Sequence, residues 1–143
     1  MNADFNVISV NLSKEELDSF NSYFNKIKQS VELRHIQNCI DARKQLFKLA
    51  STYLPDLILI SVSQINKACL GLIQLLKSHT PLKLIPILIL SDSQNTQDIK
   101  LVYEANSNFY IHKSISMDET CQTLNSLIYF LKTYVKLPSR VLL

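Results

Sequence analysis

PDLILISVS, residues 55–63, opens on a Pro-Asp pair, runs through Leu57, Ile58, Leu59 and Ile60 without a polar break, and ends on two hydroxyls, Ser61 and Ser63. A strand with one wet face alternates apolar and polar residues; a parallel strand covered on both faces reads as a continuous aliphatic run. IPILILS, residues 85–91, has the same character. These two segments are expected at the centre of a parallel sheet.

Around them, short apolar runs alternate with stretches of helical spacing. Asn6–Val10 is the first strand. Ser13 and Glu16 form a capping box, followed by Leu17, Phe20, Phe24 and Ile27 on one helical face. Val31–Gln37 alternates and carries charge, as an edge strand does, and Asn38 with Asp41 opens a helix that turns Ala42, Leu46 and Leu49 inward. Leu72, Leu75 and Leu76 mark a third helix, and Ile99, Val102 and Tyr103 a fourth. The strand Phe109–His112 leads to a fifth helix opened by Ser116 and Glu119. Five strands alternating with five helices predict an α/β doubly wound parallel sheet, and right-handed crossovers select the order 2-1-3-4-5.

Composition narrows the function. The 143 residues, 47% hydrophobic, suit one compact domain, taken as residues 1–138 with a tail at 139–143. A net charge of +3 with 19% charged residues is too mild to imply nucleic acid. Cys39, Cys69 and Cys121 lack metal or redox spacing and read as buried residues of a cytoplasmic protein. No leader is expected at the N-terminus, no apolar run approaches the ~18 residues of a membrane span, and no DNA-binding domain is expected after the tail. Gly71 is the sole glycine, so the glycine-rich turns of nucleotide-binding folds are missing. No cofactor and no metal are expected.

In such a sheet ligands bind beyond the carboxyl ends of the strands, near the reversal of strand order. The residues delivered there are Asn11, Leu12 and Ser13, then Ser61 and Ser63, Ser91 and Asp92, and Lys113. On this reading Asp92 is the only carboxylate nearby.

With these residues in place, the chain resembles the receiver domains of two-component response regulators, in particular the small stand-alone receivers associated with bacterial phytochromes. The segments that carry the resemblance are PDLILISVSQ, LKLIPILILSDSQNTQDIKLVYEANSNFYIHKS and LKTYVKLPS, within an alignment over about residues 5–138. The resemblance implies an acidic metal-binding pair at Asn11 and Leu12, a phosphoacceptor aspartate at Ser61, a hydroxyl at Ser91, an aromatic switch at Tyr110 and a lysine at Lys113. Three carboxylates are therefore replaced while the hydroxyl, aromatic and cationic positions remain. Ser114, where many receivers have proline, matches the phytochrome-associated subgroup.

Mg²⁺ is usually anchored by one or two carboxylates, and phosphoryl transfer relies on cations that neutralise the moving group. Serine without an adjacent base is a weak nucleophile, and His35, His79 and His112 are not placed to activate Ser61. Ser61 is expected to plug the former acceptor position, and Lys113 to bond backbone carbonyls, Ser61 or Asp92 rather than bind an anion. The expected function is that of a non-enzymatic pseudo-receiver contacting a histidine kinase, a phosphotransfer protein or another receiver. A regulator phosphorylated at an unconventional residue and an unrelated flavodoxin-like binding protein are the alternatives.

The resemblance also implies that the face made by the fourth helix, fifth strand and fifth helix mediates dimerisation. Cys121, Leu124, Ile128, Leu131 and Val135 form the inward stripe of the fifth helix. Leu127, Phe130 and Tyr134 widen it into a sector assigned to a homodimer interface.

Overall fold

The computed structural model describes residues 3–50, 54–113 and 116–141; Ser114 lies outside them. The elements follow in the order β1 (Phe5–Val10), α1 (Lys14–Lys26), β2 (Val31–Ile36), α2 (Cys39–Ala50), β3 (Leu57–Val62), α3 (Lys67–Lys77), β4 (Ile87–Ser91), α4 (Thr96–Glu104), β5 (Phe109–His112), α5 (Met117–Thr133) and the short α6 (Pro138–Val141). The strands form one sheet in the order β2-β1-β3-β4-β5, with every pair parallel. The doubly wound architecture expected from the aliphatic runs is the one observed.

Burial explains the difference between strands. β1, β3 and β4 are buried along their whole length, whereas β2 and β5 at the edges are half-exposed over most of theirs. Strand alternation then splits the core into two layers. Ile58 and Ile60 join Ile8, Val10, Ile87 and Ile89 on one side, in the layer that also holds Leu46, Leu72, Leu76 and Val102 from α2, α3 and α4. Leu57 and Leu59 join Val7, Leu88 and Leu90 on the other, with Phe20 and Phe24 of α1 and Leu124, Ile128 and Leu131 of α5. All three thiols are buried, and burial beside Cys39 pushes that of Cys69 up to about 12, so it stays a protonated apolar group at neutral pH.

The helix starts are built as the sequence suggests. Ser13 Oγ accepts the Glu16 amide while Glu16 Oε1 accepts the Ser13 amide, a complete capping box. Asn38 Oδ1 accepts the Asp41 amide, Asn66 caps α3, Asn95 caps α4 and Ser116 caps α5. With one glycine available, the left-handed backbone positions fall to Asn11, Lys28 and Asn106; asparagine tolerates this region better than most residues.

Two residues of the expected helical spacings lie at the surface. Ile27 is exposed, because it is the C-cap of α1 and the chain leaves the helix at Lys28. Tyr103 is exposed, its hydroxyl accepting the Tyr110 amide of β5 at 3.1 Å. Val135 lies beyond the end of α5 but, partly buried, still packs against the α1–α5 layer as its place in the inward stripe implies. Leu127, assigned to an interface, packs against the α1–α5 core layer.

Residues 139–140, read as tail, are held to the domain. The buried Asp56 accepts the Asn6 amide at 2.8 Å, the Ser139 hydroxyl and the Arg140 guanidinium, the last at 2.6 Å. Among the described residues, no helix is long and apolar enough to cross a membrane.

Candidate functional site

Parity decides which side chains meet at the carboxyl end of the sheet. Ser61 follows Leu57 and Leu59 toward the α1–α5 layer, and Lys113 follows Phe109 and Ile111 to the same side. Ser91 follows Ile87 and Ile89 and so faces the opposite layer. The first two line a cleft of about 530 Å³ with Asn11, Ser13, Glu16 and Asp92.

At the floor of this cleft lies a carboxylate. Lys113 Nζ sits 2.9 Å from Glu16 Oε2, both side chains largely buried, whereas exposed Asp92 is 4.0 Å away. Ser61, 1% exposed, donates its hydroxyl to Glu16 at 3.2 Å. Asp92 is therefore not the only carboxylate here, and the Lys113 ammonium goes to Glu16 rather than to Ser61 or a backbone carbonyl.

The capping box contains the reason. A glutamate at the third helical position folds back over the helix start to bond the cap amide, and α1 starts where β1 ends, beside the end of β3. The same bend that satisfies Ser13 carries the Glu16 carboxylate to Ser61 and Lys113. The sequence did hold this signal, as the Ser13–Glu16 spacing, but it was read only as a helix start.

Burial would raise the Glu16 pKa, but the Ser13 amide, the Lys113 ammonium and the Ser61 hydroxyl together hold it below the ordinary carboxylate value. Glu16 is thus an ionised counter-ion near neutral pH. It gives Ser61 the neighbouring carboxylate that the histidines do not supply, but a carboxylate held below its ordinary pKa takes a proton less readily than a free one. His112 turns away, its Nε2 3.1 Å from the Asp92 carbonyl.

The remaining positions are committed to structure. Asn11, in a left-handed conformation, donates its side-chain amide to the Ser61 carbonyl at 2.8 Å. Leu12 is buried in the α1–α5 layer with Phe20 and Cys121. Ser91 Oγ donates to the Ser63 carbonyl at 3.3 Å and accepts the Ser93 amide at 3.1 Å. The Tyr110 hydroxyl donates to the Ser93 carbonyl at 2.7 Å while its ring packs on the α2–α4 layer. Both hydroxyls thereby tie down the loops after β3 and β4.

These residues do not fit a divalent cation of the kind the receiver resemblance implies. Mg²⁺ needs several oxygen ligands in near-octahedral array, with carboxylates among them. Asn11 offers an amide already bonded through its nitrogen, Leu12 offers no oxygen, and the Glu16 carboxylate is already engaged by an ammonium, an amide and a hydroxyl.

At the end of α5 far from the cleft, which Met117 lines, Tyr129, Phe130 and Tyr134 stand outside the core. Phe130 is 53% and Tyr134 69% exposed, with ring centroids 6.2 Å apart. Tyr129 packs edge-on against Tyr134 at 6.3 Å. The sequence reading named Phe130 and Tyr134 and missed Tyr129, which follows Ile128 on the other side of the apolar stripe from Leu127 and Phe130.

Among solved structures, the phosphorylated cyanobacterial phytochrome response regulator RcpA is similar with a TM-score of 0.83 and 25% identity, over 94% of this chain and 99% of that one. The Mn²⁺-bound response regulator Rcp1 is similar at 0.79 and 23% identity, over 94% and 99%. A receiver domain from Rhodospirillum rubrum follows at 0.79 and 15% identity, over 94% and 97%. No protein-family model and no curated protein matches the sequence. The chain has the fold of response regulator receiver domains, phytochrome-associated ones among them.

Proposed function

We propose that this receiver-fold chain is a pseudo-receiver, a non-enzymatic module of two-component signalling that works through protein contacts and takes no phosphoryl group. The observation that carries this reading is the Lys113–Glu16 pair at 2.9 Å, with Ser61 bonded to the same carboxylate. A receiver's lysine is matched by the carboxylates and phosphoryl group of its site. Here its charge is matched from α1, and the acceptor position holds a buried hydroxyl. Partners of the expected chemistry are a histidine kinase, a phosphotransfer protein or another receiver, including a second copy of this chain. The exposed aromatic cluster of Tyr129, Phe130 and Tyr134 at the C-terminal end of α5 supports contact there.

One observation favours phosphorylation at an unconventional residue: Ser61 donates to a carboxylate, the start of a nucleophile–base pair. The depressed basicity of Glu16 and the burial of Ser61 weigh against it. Incubation with acetyl phosphate and Mg²⁺, followed by intact-mass measurement, separates the two. The protein is expected to keep its mass, and a phosphoryl adduct on Ser61 would overturn the pseudo-receiver reading.

A further inference from the structure

The Glu16 carboxylate makes three bonds at once, and each comes from a different part of the chain. The Ser13 amide at 2.9 Å belongs to the start of α1, the Ser61 hydroxyl at 3.2 Å to the end of β3, and the Lys113 ammonium at 2.9 Å to the residue after β5. The Lys113 amide is itself bonded to the Ser91 carbonyl at 2.8 Å, so the lysine is anchored at both ends. An external oxyanion entering the cleft would seek this same ammonium and hydroxyl, and would meet a negative charge already there.

We propose that Glu16 is a built-in occupant of this cleft, an internal anion that straps α1 to the lysine after β5 and keeps external oxyanions out. This deepens the pseudo-receiver reading and rests on it. The site keeps its cation and hydroxyl, and one side chain, rather than loss of every binding group, closes it to external ligands. Wherever an internal group holds a pocket more than about nine-tenths of the time, it weakens external binding by about tenfold or more. Exposed Asp92 adds a weaker negative field 4.0 Å from Lys113 but makes no bond to Ser61 that would block the floor of the cleft.

Glu16→Gln is the informative substitution. Glutamine also serves at the third position of a capping box, so its oxygen can still accept the Ser13 amide and α1 keeps its start. What changes is charge: an amide now lies against the ammonium, Ser61 loses its anionic acceptor, and Lys113 keeps only the exposed Asp92 carboxylate 4.0 Å away. Inorganic phosphate titrated into the native chain, Glu16→Gln and Glu16→Gln/Lys113→Met, followed by amide shifts around Ser61 and Lys113, reads the effect.

The native chain is expected to show no saturable shift, Glu16→Gln a saturable one localised to these residues, and the double variant none. Phosphate binding of equal strength to the native chain and Glu16→Gln overturns the proposal, and so does a folded Glu16→Gln that fails to bind. A second measurement needs no variant. In the native chain the Lys113 ammonium protons are expected to exchange with water far more slowly than those of exposed lysines, and ordinary exchange overturns the strap. If acetyl phosphate modifies Ser61 of the native chain, the pseudo-receiver reading fails. If that chain stays unmodified while Glu16→Gln gains no phosphate binding, only the internal-anion proposal fails.

Discussion

Glu16 is at once a helix cap and an electrostatic partner, and the two roles make its protonation a term in folding. Its folded-state pKa lies below the ordinary carboxylate value, the bonds from Ser13, Lys113 and Ser61 outweighing the burial that opposes them. The ionised form therefore favours the folded chain at every pH above the unfolded value of about 4.3, and this contribution is lost as pH falls through the lower folded value. The groups facing it are Lys113, Ser61 and the Ser13 amide, with Asp92 beyond the lysine. Urea unfolding in phosphate-free buffer is expected to show Glu16→Gln less stable than the native chain at pH 7. The gap should narrow below about pH 4. A gap that is constant with pH would show that the charge of Glu16 contributes nothing to folding.

Helix α3 spans Lys67–Lys77 and carries the single glycine, Gly71, in its interior, where a Cβ would meet nothing within 4 Å. The backbone there is ordinary right-handed helix, so the glycine's freedom serves no turn and only adds entropy to the unfolded chain. Gly71→Ala is expected to stabilise the protein by about 0.5–1 kcal/mol, measured as a higher urea midpoint with an unchanged slope. No gain would mean that α3 packs against something at this position that the free space does not suggest. Helix α5 shows the opposite economy. Its inward stripe of Cys121, Leu124, Ile128 and Leu131 fills the core, Leu127 reinforces it, and Tyr129, Phe130 and Tyr134 stay exposed with their rings in contact with one another.

For the assembled molecule, that unpaired aromatic cluster and the Asp56 clasp mark opposite fates of the same C-terminal region. Leu137 is buried, and Ser139 and Arg140 close onto Asp56, so the segment after α5 is part of the domain rather than a free arm. Tyr129, Phe130 and Tyr134 remain available to a second copy related by a two-fold axis, in which each substitution acts twice. Phe130→Glu would leave a carboxylate unpaired in each half of such a contact, at a cost of about 3 kcal/mol or more. Light scattering at micromolar concentration is expected to show a dimer for the native chain and a folded monomer for Phe130→Glu. A native chain that stays monomeric at high concentration would exclude self-pairing through this cluster.

The aliphatic runs PDLILIS and IPILILS, the helical spacings between the strands and the cap residues determined the fold class, the strand order and the end of the sheet at which the site lies. These are properties of covalent neighbours: alternation, periodicity and turn chemistry act over a few residues and can be read in order along the chain. That Asn11, Leu12, Ser61, Ser91 and Lys113 lie at the carboxyl ends of the strands was legible for the same reason, while Tyr110 was singled out only by the receiver resemblance. What only the tertiary structure decided was which charge answers which. Glu16 and Lys113 are 97 positions apart in sequence and 2.9 Å apart in space, brought together because α1 begins where β1 ends and β5 delivers Lys113 on the same side of the sheet. Arg140 reaches Asp56 in the same way, 84 positions away. Local pattern sets the elements; Coulomb pairing depends on distance through space, which no spacing along the chain encodes.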